Sequence, residues 1–191
     1  MAIPTSELQK INPSAVIELF ELQLIAAIHG SDQLYRFHSG SNQNGNGEIV
    51  WQGNSYTRFP IEAEGFEFTG RGQIPRPTLT VSNVLSTLTT VIATVNAFTP
   101  ANDLNGAKLT RIRTTADNID AANFSGGTNP FGTPSSNKYP DEVFFLDRKV
   151  TENRQIVQYE MRGENDHANV KVPKRQITRK DFDGVGTFID A

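Results

Sequence analysis

The chain has 191 residues and a formal net charge of −3, too little of either sign to mark a binder of nucleic acid or of acidic substrates. Its length is enough to bury a core within one ordinary domain, although a hydrophobic content of 37% is modest. The absence of cysteine excludes disulfides and thiolate metal sites, and no apolar run approaches the ~20 residues that span a bilayer.

At the N-terminus, Glu7 comes early and no cationic stretch precedes an apolar one, so no signal peptide is expected. Ser6-x-x-Gln9 reads as a capping box that opens a short helix ending before Asn12-Pro13. Residues 15–25 fit a strand, because Phe20, Leu22 and Leu24 alternate with Glu21 and Gln23; helical spacing fits almost as well. Tyr35 and Phe37 predict a second strand, joined to the first through His29-Gly30-Ser31-Asp32 as a hairpin. Residues 39–47 read as a polar loop. Gly53-Asn54, between Ile49–Gln52 and Ser55–Arg58, suits a type II′ turn because glycine takes positive φ without a Cβ clash. Phe66 and Phe68 flank Glu67 and predict a half-buried strand between Gly65 and Gly70. Pro75 and Pro77 precede an alternating strand at Thr78–Val81.

The one good helix runs from Val84 to Ala97, with Leu85, Leu88, Ile92 and Val95 on one face and Ser82 or Asn83 as its cap. Its threonines and valines have weak helix propensity, so it depends on packing. Thr99-Pro100 ends it. A strand at Ala107–Thr114 follows Gly106, and Glu142–Val150 and Gln155–Met161 form a hairpin around Thr151–Arg154. Residues 117–140, rich in Gly, Pro, Ser and Asn, read as a long loop without secondary structure, of the kind that is functional or disordered.

No catalytic or metal constellation emerges. His29, His38 and His167 have no metal-ligand spacing. Glu164-Asn165-Asp166 lacks the glycine and bidentate glutamate of an EF-hand loop. Gly70-x-Gly72 opens no helix and is no dinucleotide fingerprint. Glu62, Glu64 and Glu67 read as a solvated face rather than a glycosidase pair. Trp51, Tyr56 and Phe59 read as a sheet core, with a protein interface or a ligand-stacking platform as the alternatives. Arg111 and Arg113 share one face of their strand; an exposed edge protected by charge and docking to an acidic neighbour are both open. Lys174, Arg175, Arg179 and Lys180 form a looser basic patch with the same ambiguity.

Three blocks of residues resemble one family. The first is Trp51-Gln52-Gly53-x-x-Tyr56, Pro60-Ile61, Gly65-Phe66-Glu67 and Arg76–Asn83. The second is Asp147–Asn153 with Val157–Met161, and the third Val172–Ile177. Together they resemble the phage minor tail protein L family, of the tail tip and baseplate hub of lambda-like long-tailed phages. The resemblance runs from about Ala15 to Ile177 and favours the strand reading of residues 15–25. It implies a mainly β, α+β fold with one packed helix: an antiparallel barrel- or sandwich-like hub domain with extended loops and terminal arms. The hub would span residues 1–173 with a loop arm at 117–140. Residues 174–191 would stand where family members continue into a cysteine-rich iron–sulfur domain. Iron–sulfur ligation needs thiolates, so no cofactor is expected.

The implied role is that of a structural virion protein, not an enzyme. It would link the distal tail ring protein to the central tip or hub protein, as a homotrimer at the distal end of the tail, assembled in the host cytoplasm. Neither specific nucleic-acid binding nor a membrane segment is expected. The alternative is a carbohydrate-binding β module that recognises a host surface. Arg111, Arg113, Phe131, Tyr139, Lys174, Arg175, Arg179 and Lys180 are the candidate interface residues. On the arm reading, deleting Gly126–Ser136 leaves the monomer folded and impairs tail assembly.

Overall fold

The computed structural model describes residues 3–40, 47–67, 75–84, 87–166, 177–180, 182 and 184. In chain order the elements are α1 (Thr5–Leu8), β1 (Val16–Gln23), α2 (Ala26–His29), β2 (Leu34–His38), β3 (Glu48–Trp51), β4 (Asn54–Arg58), β5 (Ile61–Glu64) and β6 (Thr78–Ser82). Then come α3 (Thr87–Phe98), β7 (Lys108–Thr115), β8 (Glu142–Glu152) and β9 (Ile156–Gly163). Among the described residues the nine strands form one sheet, in the order β3-β4-β2-β1-β7-β8-β9-β6-β5. Every neighbouring pair is antiparallel except β2 and β4, which run parallel. The fold is mainly β with one main helix, sandwich-like rather than a closed barrel.

Strand order and connection length together impose curvature. β4 and β5 stand near opposite ends of the sheet, seven strand spacings apart. In a flat sheet, at about 4.8 Å per spacing, they would lie ~34 Å apart. Only Phe59-Pro60 joins them, and three Cα steps reach about 11 Å. The sheet therefore curls until its ends meet at this dipeptide. Two backbone bonds fix the seam: Phe59 N–H donates to the His38 carbonyl at 2.9 Å, and Ser82 N–H donates to the Pro60 carbonyl at 2.9 Å. Proline suits the position, because it carries no N–H that would need a partner.

The curled face encloses the larger core. Phe20, Leu22, Leu79, Val81, Leu109, Leu146, Val157, Tyr159 and Met161 line it, and Ile92 and Val95 of α3 pack on it. The pattern predicted for the helix holds at Ile92 and Val95, both buried; the described helix begins at Thr87, and Leu85 lies outside the described residues. β1 serves two cores. Ile17 and Leu19 join Ile49, Trp51, Tyr56, Ile112, Ala116 and Ile119 on the reverse face.

That reverse face is covered by the segment read from its composition as a loose arm. Ile119 is fully buried, and Asn118, Asn123 and Asn129 are nearly so. Asn123 both accepts from Val50 N–H and donates to the Val50 carbonyl, each at 2.7 Å, mimicking a further strand against β3. Asn129 Nδ2 donates to the carbonyls of Ala116, Asp117 and Ile119 at 2.9, 3.2 and 3.0 Å. Trp51 Nε1 donates to the Ser135 carbonyl at 3.2 Å. Residues 117–140 are thus a fitted layer, held by side-chain amides where an ordinary layer would use apolar contacts.

Other local readings shift. The β3–β4 turn is Gln52-Gly53, both at positive φ (51° and 72°), with Trp51 paired to Asn54; this is the type I′ pattern, one residue earlier than the expected II′ turn. Asp120 secures it by accepting from Gln52 N–H and Gly53 N–H, which offsets the cost of a left-handed glutamine. The strand expected across Phe66–Phe68 does not form at Gly65–Glu67, and Phe68–Gly70 lie outside the described residues; β5 ends at Glu64 instead. The link between β1 and β2 contains a helical turn, α2, stopped by Gly30 at φ 72°. Pro4 precedes α1, with no side-chain cap bond.

Two stability outcomes follow from these contacts. Asn129→Ala should strip three carbonyls of their donor and cost about 1–3 kcal/mol in urea unfolding. Deletion of Gly126–Ser136 should now destabilise the fold, in contrast to the arm reading; an unchanged melting temperature would restore that reading.

Candidate assembly surface

An open apolar cleft of about 430 Å³ lies where the ends of the curled sheet approach. Tyr35 and Phe37 of β2, Ser55 and Thr57 of β4, Phe59 at the seam and Leu88 of α3 are among its lining residues. The stacked rings of Phe20 and Phe37, with centroids 5.9 Å apart, and the tilted pair of Phe37 and Phe59 at 6.2 Å keep its wall in place. Tyr159 also lines it; its buried hydroxyl has no hydrogen-bond partner. Burial pushes the Tyr159 hydroxyl pKa up, and Asp103 and Glu152 add to the shift.

Charge is concentrated at one end of the β1–β7–β8 floor. Arg111 pairs with Glu18 and, at 2.9 Å, with Glu142, while Arg113 reaches the other Glu142 oxygen at 2.7 Å. Aromatic rings cover the guanidiniums: Arg111 lies 4.3 Å from the Phe66 centroid and Arg113 5.6 Å from that of Tyr139. The register explains the set, because Glu18 faces Arg113 and Arg111 faces Glu142 directly across the strands. β7 is a central strand, so the exposed-edge reading of its arginines is corrected: their charge is engaged inside the domain.

The β8–β9 tip is the opposite case, exposed from Val150 to Ile156 yet tightly built. Asn153 Oδ1 accepts from Gln155 N–H and Ile156 N–H at 2.7 and 2.8 Å. Asn83, itself buried, donates its backbone N–H to the Gln155 carbonyl and its amide to the Asn153 carbonyl. It also accepts from the Thr89 hydroxyl at 3.0 Å, so one side chain ties β6, α3 and the tip together. Around this tip, Val84, Val150 and Ile156 are solvent-exposed, and among the described residues Arg154 makes no ion pair. Nearby, Arg148 and Arg76 both pair with Glu160 and hold its carboxyl below the usual range, Arg148 foremost.

The remaining predicted interface residues scatter. Phe131 is 60% exposed, its ring 5.9 Å from that of Phe124. Tyr139 is half-buried, and its N–H donates to the Arg113 carbonyl at 2.8 Å. Arg179 and Lys180 are exposed, and Lys174 and Arg175 lie outside the described residues. Sequence reasoning named Asn83 only as a helix cap, without its bonds to the hairpin tip, and missed the glutamates Glu18 and Glu142. A signal for the glutamates existed, in acids and arginines placed on neighbouring predicted strands. Trp51 and Tyr56 are buried at 3% and 1% exposure, which removes them as a stacking platform. Glu62 and Glu64 are exposed, as a solvated face requires.

No group of three or more His, Cys, Asp or Glu side chains among the described residues is placed to hold a metal. The chain has no cysteine, so its donors do not fit the iron–sulfur cluster that the family resemblance implies. Among the described residues no helix is long and apolar enough to cross a membrane.

The curled β scaffold thus carries a braced, exposed hairpin tip and an open apolar cleft. The family model for phage minor tail protein L matches residues 27–183, and the chain belongs to that family. Among curated relatives, it is 33% identical over 129 residues to the tail tip protein L of Escherichia phage lambda. That alignment covers 68% of this chain and 51% of the relative, so the chain spans about half the length of the relative.

Glu142→Ala should leave the half-buried Arg113 without its counter-ion and Arg111 with Glu18 alone. The expected loss in denaturant unfolding is about 2 kcal/mol, below that of a fully buried pair because these side chains keep some solvent contact. A loss below about 0.5 kcal/mol would mean the network is a surface ornament of the sheet.

Proposed function

We propose that this chain is a structural protein of the phage tail tip, linking the distal ring of the tail to the central tip protein. The family match over residues 27–183, which takes in most of the described fold, carries this reading. The protein acts by binding and has no catalytic step. Its copies form a homotrimer at the distal end of the virion tail, assembled in the host cytoplasm, with neighbouring tail proteins as partners and no nucleic acid specifically recognised. No iron–sulfur cluster is part of this reading, because these 191 residues hold no thiolate to ligate one.

The contact surfaces best suited to this work are the β8–β9 tip and the exposed charges of Arg179 and Lys180. The tip is preorganised by Asn83 and Asn153, so little conformational entropy is lost when it docks. The apolar side chains beside it supply burial, and Arg154 favours an acidic partner surface.

Val84→Asp combined with Val150→Asp changes only exposed side chains, so the protein should keep its melting temperature. Assembly of tails in a complementation assay should fall by about tenfold or more, the loss expected for ~1.4 kcal/mol of binding. Labelling the protein in intact tails and imaging them should place a small symmetric ring at the distal end. Absence of the label from purified particles would overturn the tail-tip role.

A further inference from the structure

His38 stands at the seam where the sheet closes. It is fully buried, and its backbone carbonyl accepts the Phe59 N–H that joins β2 to the connector. Its ring Nε2 lies 3.2 Å from the Gly47 carbonyl, which also accepts Arg58 N–H at 3.2 Å. A carbonyl only accepts, so Nε2 carries the proton and Nδ1 is the bare nitrogen. Among the described residues that buried Nδ1 has no hydrogen-bond partner. His29, also buried, is the contrast: its Nδ1 accepts from Ile25 N–H and its Nε2 donates to the Asn105 carbonyl.

Protonation of His38 would therefore place a charged N–H in a buried site where no described group receives it. The surrounding charges give no help. Arg58 of β4 is the register partner of His38 and repels a second cation. On β2 itself, Arg36 is paired with Glu21 of β1, which also accepts from Tyr56 of β4. Glu18 of β1 is held by Arg111. Glu48 of β3 accepts from the Ser55 hydroxyl. Residues 41–46, Ser-Asn-Gln-Asn-Gly-Asn, contain no titratable side chain.

We propose that His38 makes the parallel joint between β2 and β4 an acid-sensitive latch, whose protonation releases the β3–β4 hairpin and opens the neighbouring cleft. Only two residue pairs form that joint, Phe37 with Thr57 and His38 with Arg58, the fewest of any strand pair among the described residues. Phe37 and Thr57 line the cleft, which couples the latch to the cleft mouth. Burial, with Arg58 adding to it, lowers the imidazole pKa from its ordinary value. The unfolded chain then binds the proton more readily than the folded one. Stability is complete above pH ~6.5, the ordinary imidazole value, and declines as pH falls toward the lower folded value, by up to about tenfold in the unfolding constant per pH unit.

The chain carries its own reporter. Trp51 is its one tryptophan, sits at the end of β3 and is 3% exposed. Acidification from pH 7.5 to 5 should red-shift Trp51 emission and raise its acrylamide quenching in the wild-type chain. His38→Gln keeps a donor for Gly47 but cannot titrate, and should remove most of that response. Equal responses in the two chains, or a pH-independent Trp51, would overturn the latch. Should the Gln variant not fold, the ring titration of His38 by NMR in the wild-type chain decides: a pKa below ~6.5 supports the latch, and one at or above it overturns it.

Discussion

The two-residue connector Phe59-Pro60 is the constraint from which the rest of the architecture follows. The strand next to one edge of a nine-stranded sheet continues, after a dipeptide, as the edge strand at the other end. No flat sheet satisfies that, so the sheet rolls up. Rolling creates an interior, which α3 and the apolar faces of β1, β6, β8 and β9 fill. It also leaves a reverse face that needs its own cover, supplied by residues 117–140. The closure stays incomplete. β3 and β5 end the sheet without pairing to each other among the described residues, and beside the seam the apolar cleft is lined from β2, β4, β5, β6 and α3.

Polar groups are used unevenly in this frame. Where the two layers meet, the chain relies on asparagines with exact partners: Asn83 for the hairpin tip, Asn123 for the β3 edge, Asn129 for the loop that follows β7. Each satisfies carbonyls that burial would otherwise leave unpaired. The result is a rigid body whose long irregular segment belongs to the core. Three of its exposed apolar side chains, Val84, Val150 and Ile156, stand around the hairpin tip that Asn83 and Asn153 hold.

Much of the fold was legible because alternation is a local signal. Phe20, Leu22 and Leu24, or Val157, Tyr159 and Met161, identify strands without knowledge of their neighbours, and the spacing of Leu88, Ile92 and Val95 marks α3 in the same way. The misreadings share one cause, dependence on contacts distant in sequence. Asn- and Gly-rich composition at 117–140 looks like disorder until Val50 and Ala116 supply partners for its amides. Arg111 and Arg113 look like an edge until Glu18 and Glu142 arrive from strands on either side. The β3–β4 turn moved by one residue because Asp120 stabilises a left-handed Gln52, and no turn rule anticipates a partner 68 residues away. The family was legible from Trp51–Asn83 and the two later blocks, the second of which includes Val150; no sequence pattern marked Val84 and Ile156 as exposed tip residues.

The central claim is that the sheet closes on itself at Phe59-Pro60. Because the chain lacks cysteine, spin labels can be placed uniquely at Thr57→Cys on β4 and Ser82→Cys on β6, and the distance between them measured by pulsed electron resonance. The curled sheet predicts a distribution centred at about 15–20 Å, since Ser82 is bonded to Pro60 across the seam. A distribution centred at about 30 Å or beyond, the lateral separation of β4 and β6 in an open sheet, would contradict it.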